Sequence, residues 1–437
     1  MISSIIFIII LGAAGFLFYK NVAFIRRNIM LGKKVKPSGD SSERWKTMIK
    51  VALGQSKMTA RPIAGFLHIL VYVGFVIINI EVLEILIDGI FGTHRVFSFM
   101  GGFYDVLIGS FEVLALLVIV ACAIFLVRRN ILKIGRFHNA EMKKWPTTDA
   151  NLILIFEIAL MMAFLKMNAA DQVLQARGVE HYINAGSYPV SSLLVPLFES
   201  FSDSFLIFAE RAAWWFHIVG ILAFMNYLPY SKHFHIILAF PNTYYSKLES
   251  KTKINNLESV TNEVKLMMDP TADPYATPAN DAPVEKFGAK DVTDLTFIQL
   301  MNAYSCTECG RCTAECPANI TGKKLSPRKI MMDTRDRLEE VGKNIDKKGK
   351  DYDDGKALLG DYILEEELLA CTTCNACTEA CPVNIDPVSI IIDLRRFLIM
   401  EQSKAPAEWT NALTNIENNG APWQFSQSDR LNWKNEA

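Results

Sequence analysis

Residues 306–317, CTECGRCTAECP, and residues 371–382, CTTCNACTEACP, are two copies of one pattern, C-x-x-C-x-x-C-x-x-x-C-P. Three cysteines at i, i+3 and i+6 let a short loop wrap three corners of an iron-sulfur cubane, and the fourth, followed by proline, points to the neighbouring cluster. The spacing predicts two [4Fe-4S] clusters with crossed ligands. Cys306, Cys309, Cys312 and Cys381 would hold the first, and Cys371, Cys374, Cys377 and Cys316 the second. An all-cysteine zinc site needs only two cysteine pairs and leaves the third cysteine and the trailing Cys-Pro unexplained. The ninth cysteine, Cys122, lies in an apolar run and reads as a small buried hydrophobe.

Outward from the motifs, helical spacing recurs at 292–304, at 325–342 (LSPRKIMMDTRDRLEEVG) and at 388–400. Fifty-four residues lie between Cys316 and Cys371, far more than in a small βαβ-type ferredoxin, so the fold expected over 291–400 is an α-helical ferredoxin domain. Residues 246–290 are polar, and DPTADPYATPANDAP within them reads as an extended linker. Residues 401–437 form a tail on which a partner would dock.

The first half of the chain has a different character. With 437 residues, 51% of them hydrophobic, a positive mean hydropathy and a net charge of −1, the protein has more than one domain and gives no sign of a nucleic-acid partner. Five apolar stretches, at about 3–19, 63–88, 104–127, 150–168 and 205–229, are long enough to span a bilayer. The first lacks a basic leader and runs directly into Lys20, so it reads as an uncleaved span. Lysine and arginine crowd the loops at 20–62 and 128–144, whereas those at 89–103 and 169–204 hold little beyond Arg95 and Arg177. The positive-inside rule then places the N-terminus outside and the cysteine domain in the cytoplasm, where thiols stay reduced. The expected architecture is mostly α: a five-span helical bundle over 1–245 of a bacterial cytoplasmic membrane, followed by the linker and the cluster domain. The outer loop at 169–204 is long enough to carry a short helix on the membrane surface.

Four of the seven histidines fall in or beside spans: His68, His217, His233 and His235. A haem b in a membrane takes two imidazoles facing one another from different helices. His68 lies near the cytoplasmic start of the second span and His235 near the cytoplasmic end of the fifth, so the two fit a haem close to the clusters. His217 and His235 are eighteen residues apart, five helical turns, and share a face if the helix continues through Pro229. His233, on the opposite side of such a helix, would face solvent or headgroups. A histidine in a span also serves as a hydrogen-bonded packing residue, and spacing alone leaves both readings open.

The stretches FLHILVYVGFVI (66–77) and FHIVGILAFMNYLPYSKHFHIILAFP (216–241) resemble the cytochrome b subunit of respiratory nitrate reductase and the related haem subunit of membrane-bound heterodisulfide reductase. The resemblance covers roughly 1–245 and implies haem ligands at His68 and His235 and, for a second haem, at His217. That family's second histidine in its second span falls here on Ile78, so His217 lacks an obvious partner, and His94 would supply one only if the outer loop folded inward. Residues 287–336 and 368–388 resemble the iron-sulfur part of heterodisulfide reductase-like proteins, including oxidoreductases that link electron-transferring flavoprotein to menaquinone. Those proteins commonly continue into a Cys-Cys-Gly domain; this sequence has no adjacent cysteine pair, and the resemblance implies that a separate subunit supplies that domain.

Ionisable residues also lie within the spans: Glu81 and Glu84 one turn apart, Glu112, Glu157 and Lys166. Such groups pair, face a bundle interior or mark a proton path. Glu81 and Glu84 are candidates for the protons of quinone chemistry, and a Glu157–Lys166 pair is the structural alternative. No nucleotide- or flavin-binding motif is present. The sequence is thus read as an oxidoreductase subunit that relays electrons between a cytoplasmic partner and membrane quinone through two clusters and haem b. The alternatives are a quinol-linked heterodisulfide or thiol reductase subunit, and a non-catalytic iron-sulfur anchor or redox sensor.

Overall fold

The computed structural model describes residues 1–271 and 286–435, which form helices joined by turns, with no strand among them. Helices α1 (Ile2–Ile29), α2 (Ser41–Met48), α3 (Pro62–Phe91), α4 (Gly102–Leu126), α5 (Trp145–Ala176) and α6 (Asp203–Tyr227) come first, and all but α2 are long and apolar enough to cross a membrane. They close into a ring: α1 packs on α3, α3 on α4, α4 on α5, α5 on α6, and α6 back on α1. The approach of α3 to α1 is close because Gly89 carries no side chain; a Cβ there would lie 2.7 Å from the Phe7 ring. Apolar residues such as Ile9, Phe16, Val76, Leu83 and Phe208 face outward, as in helices solvated by lipid.

The fifth span does not continue straight through Pro229. A tight turn at Leu228–Tyr230, an extended Ser231 and a second turn at Lys232–Phe234 separate α6 from α7 (His235–Tyr244). Pro229 has no N–H to donate, and the Ser231 hydroxyl accepts the His233 N–H at 3.1 Å. The single helix face expected for His217 and His235 is therefore absent.

Helix α8 (Glu258–Met268) lies within the stretch read as a linker, and most of DPTADPYATPANDAP falls outside the described residues. The cluster domain comprises α9 (Phe297–Ser305), α10 (Arg311–Ala314), α11 (Pro317–Ile320), α12 (Pro327–Lys348), α13 (Glu365–Leu369), α14 (Ala376–Ala380) and α15 (Pro387–Arg396); α16 (Ala407–Asn419) follows in the tail. Thr296 and Gln299 form a reciprocal capping box that starts α9 just ahead of the first motif.

This domain sits on the end of the bundle that carries the basic loops. Ile25 and Ile29 of α1, with Phe224 and Leu228 at the end of the fifth span, share one core with Leu300, Met301 and Ile330. Buried Asn28 donates to the Tyr304 hydroxyl at 3.1 Å. Gly32 allows Lys33 to exchange backbone hydrogen bonds with Leu295 and Phe297, at 2.8 and 3.1 Å. Arg328, fully buried, donates to Glu141 at 2.7 Å and to the Arg136 carbonyl at 2.6 Å. At the opposite end, two short turns at Ser191–Leu193 and Val195–Leu197 stand in place of a surface helix, and the backbone N–H groups of Val190 and Ser191 donate to buried Glu112 at 2.9 and 3.0 Å.

Candidate iron-sulfur and haem sites

The two cysteine loops have the same backbone course. Glu308 (φ 54°) and Gly310 (φ 71°) in the first match Thr373 (φ 54°) and Asn375 (φ 59°) in the second, each pair two and four residues past the leading cysteine. These left-handed residues turn the chain around a common centre. Backbone N–H groups point at sulfur, from Thr373 to Cys371 at 3.4 Å and from Ile385 to Cys381 at 3.3 Å, the kind of contact that tunes cluster potential. Cys306, Cys309, Cys312 and Cys381 line one small cavity, with Cys377 also at its wall. Cys316 is near enough to Cys371 and Cys377 for its charge to act on both. The packing of α10 on α14 brings the two cysteine loops side by side. No three Cys, His, Asp or Glu side chains among the described residues converge as the ligands of a single ion would; a cubane holds its sulfurs further apart than a zinc ion does. Cys306 and Cys381 are buried, whereas Cys374 is exposed.

Spacing gave no hint of what holds the first loop in place. Glu308 is buried and pairs with Arg335 of α12 at 2.9 Å and with Lys232, three residues before His235. Burial pushes its carboxyl up, but the Arg335 and Lys232 charges outweigh that and hold it below the ordinary range. Lys232 also donates to the Pro146 carbonyl at 2.6 Å. The loop is thereby tied to the segment that carries the membrane-side histidines.

Between that loop and the bundle lies a cavity of about 460 Å³, walled in part by His68, His233, His235, Glu157 and Cys309. His68 and His235 face each other across it, with ring centroids 6.4 Å apart. Two imidazoles on one iron place their centroids about 6.2 Å apart, from roughly 2 Å per metal–nitrogen bond and 1.1 Å from nitrogen to ring centre. The His235 Nδ1–H donates to the Lys232 carbonyl at 3.1 Å, which leaves Nε2 free for a metal. Burial lowers the pKa of His235, favouring the neutral form that ligates. The cavity and its donors fit a bis-imidazole haem. His233 lines this cavity too, contrary to the solvent-facing position expected, because it sits in a tight turn where the 3.6-residue phase does not apply.

His217 is placed differently. Its Nδ1 bonds the Leu160 carbonyl at 2.9 Å, the adjoining cavity is about 70 Å³, and Ile78 forms part of the wall. Among the described residues no second imidazole faces it there. His94 is at the other end of the bundle, its ring 5.1 Å from that of His181. Glu84 accepts the Phe97 N–H at 2.8 Å and the Tyr104 hydroxyl at 2.9 Å, so it anchors the outer loop. Glu81 is buried with one oxygen unpartnered. Among the described residues no ion pair joins Glu157 to Lys166; Glu157 lines the histidine cavity instead.

Residues 305–385 match the family model described as a 4Fe-4S dicluster domain. Over its whole length the chain is 28% identical to the "Probable iron-sulfur-binding oxidoreductase FadF" of Bacillus subtilis, of which it covers 61%. Over 88% of its length it is 26% identical to the "EtfAB:quinone oxidoreductase" of Syntrophomonas wolfei, of which it covers 53%. Over 33% of its length it is 32% identical to one of the chains of the dihydromethanophenazine:CoB–CoM heterodisulfide reductase of Methanosarcina mazei, of which it covers 35%. The chain thus spans between half and two thirds of the first two curated relatives. No solved structure matches it. These similarities fit the heterodisulfide reductase-like resemblance: a region that matches a 4Fe-4S dicluster domain is joined to five helices long and apolar enough to cross a membrane.

Proposed function

We propose that this chain relays electrons between a cytoplasmic redox partner and membrane quinone, with the crossed cysteine sets holding two [4Fe-4S] clusters and His68 and His235 holding one haem b. When bound, these groups supply one-electron chemistry; the chain's residues set their order and spacing. One observation carries the reading. Cys309, Pro382 and Val383 line both the small cavity of the first cysteine loop and the cavity between His68 and His235, so the two sites share a wall. The exposed Cys374 gives the second loop a face to solvent, and there we place the partner, an iron-sulfur subunit with a Cys-Cys-Gly motif.

Similarity over most of the chain to a protein named EtfAB:quinone oxidoreductase favours electron-transferring flavoprotein as donor and a quinone as acceptor, which the resemblance given above makes menaquinone. Similarity over a third of the chain to part of a heterodisulfide reductase favours a second reading, the reverse flow from quinol to a disulfide. His217 is assigned to packing, since its cavity is small and offers no second imidazole. Glu81, buried with an unpartnered oxygen, is assigned to proton handling, and Glu84 to loop anchoring. The basic loops and the cluster domain belong on the cytoplasmic side. Anaerobic mixing with a reduced flavoprotein donor, followed by absorbance and EPR, tests the reading. Cluster and haem b signals that both reduce in the intact protein, with haem reduction lost in His235→Ala, are the expected result. Clusters that reduce while the haem band stays oxidised would overturn it.

A further inference from the structure

Arg129, in the turn that continues α4, and Arg136, in the loop before α5, both reach the cavity that His68 and His235 face across. Their guanidinium groups lie 4.6 and 4.8 Å from the same ring, that of Phe137, a stacking that fixes two like charges near one another. Both are short of partners. Nε and one terminal nitrogen of Arg129, and Nε of Arg136, are buried without a hydrogen bond, and among the described residues neither side chain makes an ion pair. Of the other cations on that wall, Lys232 pairs with Glu308 and Arg311 donates to the Lys57 carbonyl at 3.2 Å, while Arg128 has no buried nitrogen left without a partner. Half-buried guanidinium groups with buried, unpartnered N–H donors are unfavourable unless an anion meets them, and planar guanidinium matches carboxylate or phosphate in a two-point grip.

We propose that Arg129 and Arg136 form a carboxylate clamp for the two acidic side arms of the haem held by His68 and His235. The inference rests on the haem assignment made above. It adds the residues that fix the ring's rotation about the histidine axis, and it turns the charged edge of the haem towards the first cysteine loop. A lipid phosphate at the membrane surface has the same anionic chemistry, but it would not reach between the two imidazoles.

The test uses the full chain prepared in a haem-deficient host and titrated with haem or with haem dimethyl ester, whose side arms carry no charge. Binding is followed by the low-spin absorbance band, with iron and sulfide content as the check on folding. The unaltered chain is expected to prefer the diacid by about ten- to a hundredfold, and the R129Q/R136Q chain to lose that preference while keeping its clusters. The R129K/R136K chain should recover part of it. The haem midpoint potential should also fall in R129Q/R136Q, since removal of nearby positive charge disfavours the added electron. Equal binding of acid and ester by the unaltered chain, or an undiminished preference in R129Q/R136Q as expected if the arginines hold lipid phosphate, would refute the clamp. Absence of a haem that depends on His68 and His235 would refute the assignment beneath it, and the two failures are distinguished by the His68→Ala control.

Discussion

The two cysteine loops agree at seven of twelve positions, and the five that differ account for their different surroundings. The shared residues are the four cysteines, two threonines and the proline. In the first loop, four of the five distinctive residues touch the membrane half: Glu308 pairs with Lys232, Gly310 lies against the Arg136 carbonyl, Arg311 reaches the Lys57 carbonyl, and Glu315 pairs with Arg61 at 2.9 Å. The corresponding residues of the second loop are Thr373, Asn375, Ala376 and Ala380, and that loop leaves Cys374 exposed. The shared positions carry the cysteine pattern, and the distinctive ones give the first loop its contacts to the membrane half.

The largest expected effect tests the crossing between the loops. Cys381→Ser and Cys316→Ser should each lower bound iron by about half, and EPR should show loss of the buried cluster in the first variant and of the exposed cluster in the second. If Cys381→Ser instead removes the same signal as Cys374→Ser, the loops are not crossed. Next comes Gly310→Ala. At φ 71°, a Cβ would lie 2.4 Å from an Arg328 nitrogen and 3.2 Å from the Arg136 carbonyl oxygen, so a loss of about 3 kcal/mol is expected. Asn375→Gly at the matching position should change stability by under about 0.5 kcal/mol. Equal sensitivity at the two sites would erase the distinction between the loops.

Glu308→Gln leaves Lys232 and Arg335 short of their shared anion, for a loss of about 2–3 kcal/mol, while Thr373→Ala should stay within about 0.5 kcal/mol. Denaturant melts of the two variants measure the difference. The smallest effect concerns the basic loop beside the first motif. Burial raises the Glu141 carboxyl, but the Ser326 hydroxyl and Arg328 outweigh it and hold the pKa below its ordinary value. The stabilisation is fully present above the unfolded carboxyl value of about 4.3 and is lost as pH falls through the lower folded value. Hydrogen exchange at 132–144 should therefore accelerate in acid more than exchange around Cys374, and Glu141→Gln should flatten that response.

The cysteine pattern and the apolar runs were legible because each is a local regularity: ligand spacing in one case, span length in the other. Pro229 was visible as a possible break, but the new direction depends on Ser231 and two tight turns, and with it went the helical phase that misplaced His233. His68 and His235 could be matched by membrane depth alone. Their neighbours could not. Lys232 and Glu308 are 76 residues apart, and Arg129 and Arg136 meet the cavity from a helix end and a loop, so no periodicity connects them. Glu81 and Glu84 look alike in sequence, yet only Glu84 is within reach of the Phe97 N–H and the Tyr104 hydroxyl.

The central claim is that the buried cysteine loop faces a haem held by His68 and His235. Haem quantification with absorbance and EPR on the purified full chain tests it most directly. The expected result is one low-spin, bis-imidazole haem b per chain, lost in His68→Ala and in His235→Ala with both clusters retained, and unaffected by His217→Ala. A haem retained in either of the first two variants, or one lost on replacing His217, would contradict it.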